Sequence, residues 1–268
     1  MGFPPGCKGP GTSKIGMIQD HIITGVRFQQ TPNVSPGEIT PKYLIIHYSA
    51  SPSLDGTVDW LCRPDSGVSA HIVIGRDGEV VQIAKFNQKA WHCGLSEWNG
   101  EEGMNDRSIG IELIGLGYVR KDKDGKFWKG GREVPIEEVK LATHKNETDP
   151  RYWHKYTDEQ IEVCKNVARE IFHAYNLKEI LGHDDIAPTR KTDPGPLFPM
   201  DELRAFVMAG KDQISQKAFK AHDVYFTAAK DGEGFYVTIE DKEGDLDRRI
   251  TTAEARALRD WLNENLPA

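Results

Sequence analysis

Apolar positions along the chain fall into short runs separated by polar, glycine-rich stretches, and one later segment repeats with a helical period. Residues 1–38 hold few apolar runs and many Gly, Pro, Ser and Thr, the pattern of an N-terminal extension lying over the surface or partly disordered. The character changes at "KYLIIHYSAS", where residues 43–46 form a continuous apolar run with His47 at its polar end. Such a run predicts a central strand covered on both faces. "SAHIVIGRDGEVVQIA" predicts two strands, 71–74 and 79–84, joined at Arg76-Asp77-Gly78, because Asp-Gly tolerates the positive φ of a tight hairpin. In "SIGIELIG", residues 108–115, Ile109, Ile111 and Leu113 share one face of a further strand while Glu112 falls on the other.

Residues 117–156 are charged, contain glycines and show no clear period, which reads as a long loop or insertion. "TDEQIEVCKNVAREIFHAYNL" follows, with Thr157 and Gln160 in capping-box spacing and Ile161, Cys164, Ala168, Ile171, Phe172 and Tyr175 on one helical face. After about residue 210 the pattern restarts: a hairpin around Asp231-Gly232, then an amphipathic helix over "TTAEARALRDWLNENL" capped by Thr251 and Glu254. The division expected is an extension at 1–38, a main domain at 39–210 and a small β-β-α module at 211–268. A unit of that size more often packs or self-associates than binds a ligand of its own, since its core needs support from a neighbour.

At 268 residues and 38% hydrophobic, the chain can bury a sizeable core. A formal charge of −7 argues against a broad electrostatic grip on nucleic acid or an anionic membrane, and neither partner is expected. No segment is apolar for long enough to predict a membrane span. The opening "MGFPPGCKGPGTSKIGMIQD" lacks the apolar run of a secretory leader, so the expectation is synthesis in the cytoplasm, with pore release or secretion as routes out of it. Cys7, Cys62, Cys93 and Cys164 show no CxxC pairing and read as free thiols.

The chemistry concentrates in "GHDDIAPTRKTDPGP", residues 182–196. A catalytic zinc site takes three protein ligands and leaves a fourth position for water. His183 and Asp193 could face one point if the loop curls back, with His47 arriving from its strand; the same residues also read as ordinary surface groups and a hydrogen-bonded strand-end histidine.

"HYSAS", "VSAHIVIGRDGEVVQ", "AWHCG", "NDRSIGIELIG" and "GHDDIAPTRKTDPGP" occur in an order that resembles the zinc-dependent N-acetylmuramoyl-L-alanine amidases, the family that includes T7-type lysozymes and peptidoglycan recognition proteins. The resemblance covers roughly residues 40–205 and is closest to the bacterial branch containing the muropeptide-recycling enzymes. It implies an α/β (α+β) fold with a mixed central β-sheet flanked by helices. It also implies that His47, His183 and Asp193 bind Zn²⁺, that Glu112 is the catalytic acid/base and that Lys191 assists at the carbonyl. The expected reaction is hydrolysis of the amide between N-acetylmuramic acid and L-alanine in peptidoglycan or muropeptides. The alternative is a recognition module that binds such fragments without cutting them.

Competing readings remain for single residues. Lys191 could pair with Asp184 or Asp185, and Glu112 could be a buried structural acid. His71 and His92 read as supporting or substrate-facing groups, since a fourth protein ligand would displace the water. Trp91 reads as cleft wall or core, Asn105 and Asp106 as loop-shaping residues, and His21, His144, His154, His173 and His222 as structural or exposed. Cys93 beside His92 lacks an oriented base and companion acid for a cysteine hydrolase. Gly67, before "VSAH", stands where recycling-type relatives tend to carry an arginine, which speaks against strict specificity for anhydro-muropeptides.

Overall fold

The computed structural model describes residues 16–212, with side chains through 209, and the backbone of segments 219–221, 224–231, 234–241 and 244–250. The chain divides into two compact units, Met1–Arg204 and Ala205–Ala268. In the first, β1 (Arg27–Phe28), β2 (Tyr43–Tyr48), β3 (Ile72–Ile74), β4 (Val80–Gln82) and β5 (Ser108–Leu113) belong to the central sheet. An inserted set follows: β6 (Tyr118–Lys121), β7 (Phe127–Lys129), β8 (Arg132–Val134), β9 (Val139–Thr143) and β10 (Pro150–His154). The last central strand is β11 (Glu179–Gly182). The helices are α1 (Leu54–Leu61), α2 (Asp158–Ala174), the one-turn α3 (His183–Ile186) and α4 (Met200–Asp212), the last of which begins in the first unit and ends in the second.

The six-stranded central sheet runs β11-β2-β5-β3-β4-β1 and is mixed: β11, β2, β5 and β3 are parallel, whereas β3 and β4 form an antiparallel hairpin. Leu44, Ile45 and Ile46 are fully buried, as a strand covered on both faces requires. The hairpin turns at Gly78, whose φ of +83° is the conformation the Asp-Gly pair predicts. Register then decides the placement of the chemistry. Glu112 pairs with His47 across β5 and β2, and Gly182 pairs with Ile46 across β11 and β2. Paired residues of parallel strands share a face, so Glu112, His47 and the start of the loop after β11 lie side by side at the carboxyl ends of three strands.

Thr157 caps α2, its hydroxyl accepting from the Gln160 N–H at 3.1 Å. The Gln160 side chain does not return to the cap; its amide donates to the carbonyls of Ile74 and Ile114, both at 3.0 Å, and pins the helix start to the sheet. Cys164, Val167, Ala168, Ile171 and Phe172 form the buried stripe.

The extension is less detached than its composition suggests. Within 16–38, Phe28 pairs with Gln82 as the sheet's outer strand, Ile23 is buried, and the Gln82 carboxamide accepts from the Ile23 N–H at 2.8 Å. Residues 117–156 are not a loop. They fold into a five-stranded sheet, β8-β7-β6-β10-β9, around Leu116, Val119, Phe127 and Val134. Strands of three to five residues contribute so few inward side chains that no period emerges from the charged background. In the second unit, Val224–Asp231 and Gly234–Asp241 form the expected hairpin, extended by Phe219–Ala221 and Gly244–Ile250 into a four-stranded antiparallel sheet. The helix expected after residue 250 and the first 15 residues lie outside the described residues.

Candidate metal centre and active site

His47, His183 and Asp193 converge. His47 Nδ1, His183 Nδ1 and Asp193 Oδ2 form a triangle with every side 2.9 Å, and all three residues are buried. The loop between the last two is drawn into a ring by the Asp184 N–H, which donates to the Asp193 carbonyl at 2.8 Å.

Three donors each about 2.0–2.2 Å from a tetrahedral ion would stand roughly 3.3 Å apart, so the observed triangle is a few tenths of an ångström tighter than a loaded site. One carboxylate and two imidazoles are a donor set that zinc accepts. The far nitrogens of both rings are also engaged. His183 Nε2–H donates to the Cys93 carbonyl at 2.9 Å, leaving the Nδ1 lone pair on the shared point. His47 Nε2 lies 3.0 Å from His92 Nδ1. Burial pulls the His47 pKa down to about 4, and the closeness of the two imidazoles holds the Asp193 carboxyl far below its usual range against its own desolvation. At neutral pH His47 is an uncharged imidazole and Asp193 a carboxylate, the states a cation needs.

Glu112 projects toward this cluster. Its Oε2 is shut off from solvent and has no hydrogen-bond partner among the described residues. Burial first, and then the charge of Asp193, push its pKa up to about 8. A structural acid bonded to backbone amides would not carry an orphaned oxygen, and an orphan of this kind asks for a partner that arrives with substrate or metal. Lys191 forms no ion pair or hydrogen bond through its ammonium among the described residues. Its charge is felt at both His47 and Glu112, lowering the pKa of each. The carboxylates of Asp184 and Asp185 are met instead by Lys145, at 2.8 and 2.6 Å.

Gly110, which faces Ile45 across the sheet, makes room for His92: a Cβ there would stand 2.5 Å from His92 Nδ1. Cys93 Sγ lies 3.2 Å from the same nitrogen, so His47, His92 and Cys93 are also within metal-binding distance of one another. That second group shares His47 and is accounted for by the hydrogen bond between the rings. Burial raises the Cys93 thiol well above its ordinary range, which removes the thiolate a nucleophile needs. His71 is structural: it accepts from the Gly110 N–H at 3.0 Å and donates to the Gln88 carbonyl at 2.9 Å. Trp91 is tied to the N-terminal segment, its indole donating to Ser35 Oγ at 3.0 Å. Asn105 Oδ1 accepts from the N–H groups of His92 and Cys93 and shapes that loop.

Sequence reasoning passed over two groups beside the cluster. Tyr48 Oη lies 2.8 Å from Thr192 Oγ1, with burial raising the phenol to about 12. Its position right after His47 in the strand was the available signal. Arg190 donates to the carbonyls of Cys93 and Leu95 at 2.7 and 2.6 Å, fastening the ligand loop to the "AWHCG" segment.

A mixed sheet that brings two histidines, an aspartate and an orphaned glutamate together near the carboxyl ends of its strands sets a candidate metal-binding group beside a candidate acid/base, an arrangement suited to a hydrolase. The family model for N-acetylmuramoyl-L-alanine amidase matches residues 37–196. The chain is 31% identical over 212 residues to the 1,6-anhydro-N-acetylmuramyl-L-alanine amidase AmpD of Escherichia coli K12, which covers 71% of this chain and 97% of the relative. It is 31% identical over 171 residues to the N-acetylmuramoyl-L-alanine amidase AmiD of the same organism, covering 60% of this chain and 51% of the relative. A crystal structure of selenomethionine AmpD aligns at 28% identity and a TM-score of 0.48, over 71% of this chain and 98% of the other. The protein belongs to the N-acetylmuramoyl-L-alanine amidase family.

Proposed function

We propose that this protein is a zinc-dependent N-acetylmuramoyl-L-alanine amidase that cleaves the bond between the lactyl carbonyl of N-acetylmuramic acid and the nitrogen of L-alanine in peptidoglycan or its muropeptides. The observation that carries the proposal is the convergence of His47, His183 and Asp193 on one point beside the unpartnered Glu112 oxygen. AmpD and AmiD, the relatives by sequence, are both named for this activity.

His47, His183 and Asp193 would hold the ion. When bound, zinc supplies Lewis acidity, bringing the pKa of water down from about 15.7 to about 7. Glu112 takes the proton from the attacking water and returns it to the departing alanine nitrogen. A carboxyl whose environment lifts it toward neutral pH suits both halves of that transfer. Lys191 directs its positive charge at the carbonyl oxygen as negative charge develops there, a contribution of about 2.7–4 kcal/mol for a single well-placed donor. The net reaction adds one water across the amide, giving a free lactyl carboxylate and a peptide with a free amino terminus.

The retained machinery favours hydrolysis over passive recognition, since a binding module has no use for an acid/base held unpartnered in a buried site. The test is mass spectrometry of products from purified sacculi and from soluble muropeptides, with and without a chelator. Release of peptides beginning with L-alanine, abolished by the chelator, is the expected result. Binding without release, or cleavage of glycosidic bonds, would overturn the proposal.

A further inference from the structure

The inserted sheet does more than decorate the domain. The turn between β9 and β10 reaches the ligand loop with three consecutive residues. His144 is fully buried and donates through Nε2 to Asp184 Oδ2 at 2.8 Å, while its Nδ1 accepts from the Asn146 N–H at 3.2 Å, which fixes the tautomer. Lys145 Nζ stands 2.8 Å from Asp184 Oδ1 and 2.6 Å from Asp185. The Asn146 carboxamide donates to the Asp184 carbonyl at 3.0 Å. All three residues thus touch the two residues that follow His183.

A second set holds the other end of the loop. Tyr156, just beyond β10, donates its hydroxyl to the Pro194 carbonyl at 2.8 Å. Trp153 packs so closely on Gly195 that a Cβ there would lie 3.0 Å from the indole ring. Trp153 is itself stacked on His144, with ring centroids 5.9 Å apart. One surface of the insertion therefore grips Asp184 and the pair Pro194–Gly195, the immediate neighbours of both ligands that the loop supplies. The Asp184 N–H, bonded to the Asp193 carbonyl, links the two grips.

We propose that the insertion, residues 117–156, is a clamp that sets the metal affinity of the site, with His144 its principal positioning residue, although none of its residues lies among the metal ligands. A loop carrying two ligands ten positions apart has to be held against its own conformational freedom before an ion arrives, and partners outside the ligand set commonly change metal affinity about 10–100-fold. The clamp rests on the metal-site reading above, and its test separates the two. A docking contact that only anchored the insertion would lower stability equally with and without metal. A clamp lowers the metal's own contribution.

The experiment is equilibrium competition for Co²⁺ and Zn²⁺ between a chelating dye and the full chain. It compares wild type, His144→Ala, His144→Gln and the double variant Lys145→Ala/Asn146→Ala, with Lys126→Ala on a remote edge of the insertion as control. Melting curves of each protein in chelator and in excess metal accompany the titrations. His144→Ala is expected to raise the metal dissociation constant about 10–100-fold, to shrink the metal-induced rise in Tm and to alter the visible Co²⁺ spectrum. His144→Gln, whose amide can still donate to Asp184, is expected to recover most of the affinity, and Lys126→Ala to match wild type. If His144→Ala does not fold in chelator, the exposed double variant decides, with an expected loss of severalfold or more. Dissociation constants within twofold of wild type in the folded variants overturn the clamp. A wild type that takes up no metal overturns the site itself.

Discussion

Glu112 meets two opposing demands, since a half-buried carboxyl with one oxygen shut off from water favours its proton while its assigned task requires giving that proton up and taking it back. Its pKa, raised from 4.5 to about 8, places the balance near neutrality. Glu112→Gln is expected to keep the metal and lose about 10²–10⁴-fold in turnover, read as unchanged metal content beside a collapsed kcat. The same shift has a thermodynamic side in the chelated protein. The folded state holds this proton more tightly than the unfolded state, so the stability it contributes is complete below pH 4.5 and is lost as pH rises through about 8. Denaturant titrations of chelated wild type and Glu112→Gln should therefore diverge by a few kcal/mol between those limits, with the variant gaining relative stability at the alkaline end. Parallel curves would contradict the burial argument. Asp193→Ala, by contrast, removes a ligand and should lose the metal. Lys191→Met should keep it and lose about 10²–10³-fold in kcat. The expectation for these residues came from five motifs in family order and not from spacing; the fold brings His47, His183 and Asp193 to one point and pairs Glu112 with His47, while the roles themselves are what these variants test. Lys145 was not legible as the partner of Asp184 and Asp185, because 40 residues separate it from the latter and no local rule joins them.

At the scale of elements, the strongest sequence signals were those with a physical period or a cap. The run ending at His47, the Asp-Gly hairpin and the Thr157-capped helix all form where the pattern places them. Thr157→Ala should cost about 1 kcal/mol in denaturant unfolding, as an N-cap loss does, with no change in metal affinity. Gln160 shows where a local rule yielded to a tertiary one: its spacing from Thr157 suggested a reciprocal cap, but two strand-end carbonyls took the amide. The inserted sheet was illegible for a different reason. Val119, Phe127 and Val134 are the single buried residues of β6, β7 and β8, and β9 buries none, so the charged remainder dominates any window long enough to reveal a period. Its function was hidden for the same reason, because His144 looks like any loop histidine until the fold carries it to Asp184.

Taken as a whole, the molecule gathers the proposed ligands from segments that the central sheet brings together. Binding confined to the native state stabilises it by roughly 2.7 kcal/mol when free metal exceeds its Kd a hundredfold. Melting curves with and without chelator should therefore separate clearly, and coincident curves would argue that no ion binds the native fold.

The sequence separation of 136 between His47 and His183 carries a kinetic consequence. Pairings so distant along the chain close late, after local hairpins and helices have formed, and the clustered donors do not exist as a set until then. A cation held by the proposed site is thus a latecomer to assembly. In stopped-flow experiments it should leave the refolding rate almost untouched and slow only the escape from the native state, as expected of contacts missing at the barrier.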